Sequence, residues 1–245
     1  MNRDPGEIAA RKRLILALDM PGAKEALELA ETVKDVVGCF KVGLQLFLRE
    51  GPSIVERVAR LGVPVFLDLK LHDIPATVAK AVISLKGLPI SFLTIHTAGG
   101  IEMMEAAADA ASSLDSSLAL LGVTLLTSLS ESDFPQVGLM GSSQELVLRR
   151  AMLAREAGLA GVVASAREVS RLRQAVGEGF YLVIPGIRPA GAGNDDQKRI
   201  ATPQSAIALG ATHLVVGRPI SASADPGQSA RAILSMIEEA QREPI

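Results

Sequence analysis

A single cysteine, Cys39, leaves no partner for an intramolecular disulfide in this 245-residue chain and fits a reducing compartment. It stands in "VVGCFKVG" and is expected to be a small core residue. Basic excess is missing as well. The 25 Lys and Arg face 27 Asp and Glu, for a net charge of −2, so no global field draws nucleic acid. The short cluster Arg11, Lys12 and Arg13 is expected to be the solvated face of an N-terminal helix. The opening "MNRDPGEIAARKR" has no apolar stretch of signal-peptide length, and no run approaches the roughly 20 apolar residues of a membrane span. Together these absences predict a soluble, cytoplasmic protein that engages neither nucleic acid nor membrane. The histidines at 72, 96 and 213 lack metal-ligand spacing. His213, at a strand start, is expected to be structural, His72 to sit beside charged residues, and His96 to frame a mouth without being needed for chemistry. No low-complexity linker appears, so residues 1–245 are expected to form a single domain.

What is present is 48% hydrophobic residues arranged in short runs. Strands are predicted at 14–19, 39–43, 63–70, 91–96, 118–126, 161–165, 181–186 and 213–217. Amphipathic helical segments are predicted at 23–35, 52–61, 75–86, 101–112, 143–157, 167–176 and 227–241, the last introduced by Asp225-Pro226. Alternation of strands and helices means βαβ units and a parallel sheet. Eight repeats in this length predict an α/β fold of the (β/α)8 TIM-barrel type, with a doubly wound sheet as the alternative. The barrel reading puts Asp19, Lys41, Asp68, Lys70, His96, Thr127, Ser128 and Arg218 at or just past the C-terminal ends of strands, where barrel enzymes build their sites.

Three stretches carry the chemistry. In "FLDLKLHDIPATV", Asp68 and Lys70 leave the same face of an extended chain, about 7 Å apart at the Cα. A lone pair of this kind is ordinarily a structural ion pair. Lys41 on the neighbouring strand adds a second ammonium, and alternating charges that keep each other ionised despite burial favour a functional reading. In "LVVGRPI", Gly217 and Arg218 follow the eighth strand, where backbone N–H groups and a guanidinium can cradle a phosphate; a simple turn is the bland reading. "PGIRPAGAGNDDQKR" (185–199) reads either as a mobile lid, with Arg188 and Gln197 reaching an anion on closure, or as a disordered surface loop. Its "GAG" lacks the spacing and context of a dinucleotide fingerprint.

Read together, these residues resemble the orotidine 5′-phosphate decarboxylase family. The resemblance rests on the string Asp68, Lys70, Asp73, Ile74, Pro75 and Thr77 after an apolar strand. It extends through "ALD" with Asp19, "FKVG" with Lys41, "LLTSL" with Thr127 and Ser128, "IPGIRP" with Arg188, Gln197 on the lid, and "VVGRPI" with Gly217 and Arg218. It implies decarboxylation of orotidine 5′-phosphate to UMP in pyrimidine biosynthesis, without metal or organic cofactor, by the single-function form that carries no fused phosphoribosyltransferase domain. By the same resemblance, Lys41, Asp68, Lys70 and a second subunit's Asp73 form a charged row beside the substrate carboxylate, and Lys70 protonates carbon 6 as carbon dioxide leaves. Asp19 and Lys41 hold ribose hydroxyls, and Thr127 and Ser128 lie near the pyrimidine. Arg188, Gln197, Gly217 and Arg218 bind the phosphate, and Asp73 and Thr77 complete a homodimer partner's site. Two rivals share parts of this pattern. One is a magnesium-dependent keto-sugar-phosphate decarboxylase or hexulose-phosphate synthase of the same superfamily; the other is a non-catalytic phosphate-binding barrel.

Overall fold

In the computed structural model, which describes residues 9–114, 117–189 and 201–242, eight parallel strands close into a barrel in chain order. They are β1 (Leu14–Ala17), β2 (Cys39–Gly43), β3 (Val65–Leu71), β4 (Phe92–His96), β5 (Ala119–Val123), β6 (Gly161–Val163), β7 (Tyr181–Ile184) and β8 (His213–Val216). Pairing of Leu14 with Leu214 and Leu16 with Val216 joins β8 back to β1, which excludes the doubly wound alternative. The helices are α1 (Ala10–Arg13), α2 (Ala23–Val33), α3 (Leu44–Glu50), α4 (Ser53–Ala59), α5 (Pro75–Ile83) and α6 (Ile101–Leu114). They continue with α7 (Ser143–Glu156), α8 (Val169–Val176), α9 (Pro203–Ala208), α10 (Arg218–Ser221) and α11 (Pro226–Arg242). No described helix is long and apolar enough to cross a membrane.

The strands read as continuous apolar runs because both of their faces are covered. Ile15, Ala17, Cys39, Phe66, Leu121, Val183 and Val215 pack inside the barrel, with Phe92, Val163 and Tyr181 against them. Their alternates, among them Leu14, Leu16, Phe40, Val42, Leu67, Leu214 and Val216, join the larger core under the helices. The two-residue period of a strand therefore sorts each run into an inner and an outer set. Phe92 meets Phe66, Tyr181 and His213 edge-on, at ring centroid distances of 5.8, 5.7 and 5.4 Å. These rings fill the N-terminal end of the barrel and leave the polar layer to the other end. His213 is buried there; burial, with the nearby Arg13 charge, drives its pKa down to about 3, so it is neutral and structural.

Local signals start the helices where the sequence indicates. Asp225 Oδ1 accepts the Gln228 N–H at 2.8 Å to open α11, Ser142 and Glu145 form a capping box on α7, and Pro75 occupies the first turn of α5. Three expectations need correction. Arg13 is not solvated: it is buried and donates to the Ala211 carbonyl at 3.0 Å. The fifth strand ends at Val123 rather than 126: the Thr124 N–H makes the last ladder bond, to the Val163 carbonyl, and the Thr124 carbonyl then accepts the Arg150 guanidinium at 2.5 Å. Helices α3, α9 and α10 fall outside the predicted segments; the "LQLFLRE" of α3 alternates like a strand and, wound as a helix, leaves Leu44 and Leu48 exposed.

Candidate active site

The polar layer opens into a cavity of about 440 Å³ at the C-terminal end of the barrel, lined by Asp19, Lys41, Asp68, Lys70, Thr127, Arg188, Gly217 and Arg218. Strand geometry delivers the first of these. Lys41 and Asp68 occupy inward positions two residues beyond Cys39 and Phe66, so the period that builds the apolar plug also places charge at its rim. Lys41 Nζ lies 3.0 Å from Asp19 Oδ1 and 3.5 Å from Asp68 Oδ2. Lys70 Nζ donates to both oxygens of Asp68 at 2.8 Å. Burial by itself would raise the Asp68 pKa. The Lys41 and Lys70 charges, with hydrogen bonds from Lys70 and Thr94, outweigh that effect and hold it below the usual carboxylate value.

Lys70 reaches this position by an unusual route. Leu67 pairs with Leu93 and Leu71 with Ile95, so four steps along β3 answer two along β4. Within that irregularity Lys70 takes φ 51°, the one non-glycine in the left-handed region among the described residues, a conformation that costs an L-residue about 1–2 kcal/mol. Strain of this kind concentrates at functional sites, where the surroundings must hold it.

Two arginines line the same cavity. Arg188 is buried, and its backbone N–H donates to the Ala201 carbonyl at 2.9 Å. Arg218 is exposed at the start of α10, directly after Gly217. A Cβ added at Gly217 would meet only Ala17 Cβ, at an ordinary 3.8 Å. The protein's own packing therefore does not demand glycine here, and the open side faces the cavity.

One cavity at the C-terminal end of the barrel thus combines a row of paired charges with two arginines. The sequence profile described as "Orotidine 5'-phosphate decarboxylase / HUMPS family" matches residues 12–233. The chain belongs to this family. A relative named orotidine 5'-phosphate decarboxylase from Nitrosococcus oceani is 48% identical over 223 residues, covering 91% of this chain and 96% of its own. A second of that name, from Pelobacter propionicus, is 47% identical and covers 98% of each chain. Among solved structures, the orotidine 5'-phosphate decarboxylase of Lactobacillus acidophilus superposes with a TM-score of 0.80 at 34% identity, covering 91% of this chain and 98% of that one.

Not every residue expected for the decarboxylase family reaches this cavity. Asp73 and Thr77, which the resemblance assigns to a partner's site, are exposed at the start of α5, where Asp73 Oδ1 accepts the Ile74 N–H at 2.7 Å, and neither lines this cavity. Ser128 is exposed and also outside the lining, whereas its neighbour Thr127 contributes. Gln197 lies outside the described residues. His96 was expected at the mouth but does not line the cavity; it stacks on His72 at 5.1 Å. Burial, with the charges of His72, Arg150 and Lys70, lowers its pKa to about 4.

Two residues that shape the charged row were missed by the sequence reading. Thr94, fully buried on β4, donates to Asp68 Oδ1 at 2.8 Å. Its signal was available as a polar residue two positions after the inward Phe92. Gly43 closes the "FKVG" string of β2. A Cβ there would sit 2.9 Å from Lys41 Nζ and 3.0 Å from Asp19 Oδ1, so glycine makes room for that ion pair.

Proposed function

We propose that the chain decarboxylates orotidine 5′-phosphate to UMP as a cytoplasmic enzyme of pyrimidine biosynthesis, with Lys70 as the proton donor. The observation that carries this reading is the Lys41–Asp68–Lys70 row, its ammonium groups 3.5 and 2.8 Å from one buried carboxylate. In the reaction the bond from carbon 6 to the carboxylate breaks and its electron pair remains on carbon 6. The Lys70 ammonium supplies the proton, leaving a neutral amine that solvent reprotonates. Lys70 thus stabilises charge as it develops, in a site already polarised for it.

Asp68 stands beside the departing carboxylate. Two like charges about 4 Å apart repel by about 4 kcal/mol at an effective dielectric near 20, worth about a thousandfold at most. Repulsion is therefore the smaller contribution and stabilisation by Lys70 the larger. Asp19 and Lys41 hold the ribose hydroxyls; Thr127 and Ser128 flank the pyrimidine. Arg188, Gln197, Gly217 and Arg218 take the phosphate, whose remote binding energy organises the reacting end. Asp73 and Thr77, outward-facing at the head of α5, serve the site of a homodimer partner. No metal takes part in this scheme.

The test is the loss of orotidylate absorbance with purified protein, with and without EDTA. Turnover indifferent to EDTA is expected. Absence of turnover refutes the reading, and EDTA-sensitive loss of orotidylate contradicts the metal-free scheme.

A further inference from the structure

Thr94 joins the two groups on which the proposed chemistry depends. Its Oγ1 donates to Asp68 Oδ1 at 2.8 Å and accepts the Lys70 backbone N–H at 2.9 Å. A hydroxyl carries one proton, so with the Lys70 N–H directed at the oxygen that proton goes to the carboxylate. The same atom therefore holds the acid and the backbone of the amine. It acts where restraint is needed: Lys70 stands in the left-handed region, inside the irregular stretch between the Leu67–Leu93 and Leu71–Ile95 pairs. Thr94 itself has no freedom to wander. It is completely buried in β4, whose regular pairing with β5 runs from Phe92 through His96, and its β-branched side chain is stiff at χ1.

We infer that Thr94 is a positioning residue for the decarboxylation, its hydroxyl setting the place of the Lys70 ammonium relative to Asp68 from a rigid neighbouring strand. The inference rests on the decarboxylase reading. Thr94 does not line the cavity, so its effect reaches substrate only through Asp68 and Lys70.

Thr94→Val keeps the shape and removes the hydroxyl. Displacing a reacting group by about 1 Å can cost about a hundredfold, so kcat for orotidylate is expected to fall about 10- to 100-fold while KM stays within about threefold. Thr94→Ser keeps the hydroxyl and should hold kcat within about threefold of wild type. A packing defect alone would not separate the two in this way. A second readout is the pH profile. The groups around Asp68 are Lys70 on its own strand, Lys41 on β2 and Thr94 on β4. Loss of the Thr94 donor removes one influence that lowers the Asp68 pKa, so the acid limb of kcat should move to higher pH in the valine variant. Melting curves identify a valine variant that fails to fold, in which case Thr94→Ala serves with the same expectation. Wild-type turnover is measured first; its absence defeats the decarboxylase reading and this inference with it. Given an active wild type, a hydroxyl-less variant with wild-type kcat, a serine variant as slow as valine, or a loss confined to KM overturns the role of Thr94.

Discussion

Replacing Lys70 by alanine and by glycine should yield two inactive proteins whose stabilities differ in an unusual direction. Both variants remove the ammonium, so both should lose more than about a hundredfold in turnover, a loss above about 2.7 kcal/mol of transition-state stabilisation. Both also take one counter-charge from Asp68. The Lys70 side chain is 32% exposed against 10% for Asp68, so water replaces part of the lost interaction. Destabilisation should be about 1–3 kcal/mol, below the 3–5 of a fully buried pair. The two variants part at the backbone. Alanine retains the Cβ that makes φ 51° unfavourable, a penalty of about 1–2 kcal/mol. Glycine escapes it but brings about 0.5–1 kcal/mol of extra chain entropy in the unfolded state. The balance favours Lys70→Gly by about 0.5–1 kcal/mol, or about 1–4 °C in Tm for a chain of this size. At an ordinary strand position the order would be reversed. Calorimetry at a single protein concentration, which keeps any dimer equilibrium comparable, reads the difference. An alanine variant more stable than the glycine variant refutes the left-handed Lys70 and the reasoning built on it.

Three further outcomes follow from the site and the barrel floor. His213 has its pKa depressed to about 3 in the folded protein against about 6.5 unfolded. Its contribution is complete above about pH 6.5 and declines by up to about 1.4 kcal/mol per pH unit as pH falls toward the folded value; His213→Gln should flatten the acid decline in Tm, and an unchanged slope would contradict the assignment. Mixing inactive Lys70→Ala and Asp73→Ala subunits should restore activity in mixed dimers carrying one intact site, and no recovery after verified subunit exchange counts against a shared site. Arg218→Ala should weaken orotidylate binding by about 2–5 kcal/mol if a buried anion loses its partner, and Gln197→Ala by only about 0.5–1.5. Steady-state kinetics on orotidine beside orotidylate provides the control, because equal slowing of both substrates would remove Arg218 from the phosphate.

Much of the fold lies in local windows of the sequence. Eight apolar runs separated by amphipathic segments define a barrel because a strand buried on both faces must be apolar throughout, and that pattern needs no knowledge of neighbours. Polar residues at the ends of those runs, from Asp19 to Arg218, are legible for the same reason: each interrupts a run at its C-terminal edge. Membership of a decarboxylase family was likewise carried by contiguous strings such as "DLKLHDIPAT". Charge placement within the site was less accessible. Asp68 and Lys70 do meet, as their spacing suggests, but through a left-handed residue in an irregular pairing with β4 rather than through the two-residue period of a regular strand. Thr94 contributes because the register of β4 against β3 sets its hydroxyl between Asp68 and the Lys70 N–H. Gly43 is small because Lys41 of its own strand meets Asp19, which follows β1, where a Cβ would stand. Arg13 is buried because the carbonyl of Ala211, 198 residues away, accepts its guanidinium. Sequence by itself thus determined six of the eight polar groups expected at the mouth of the barrel, whereas Ser128 and His96 lie outside its lining. Only the tertiary structure decided which of them touch and which are shielded from water, because hydrogen bonds and burial depend on the register between strands remote in the chain.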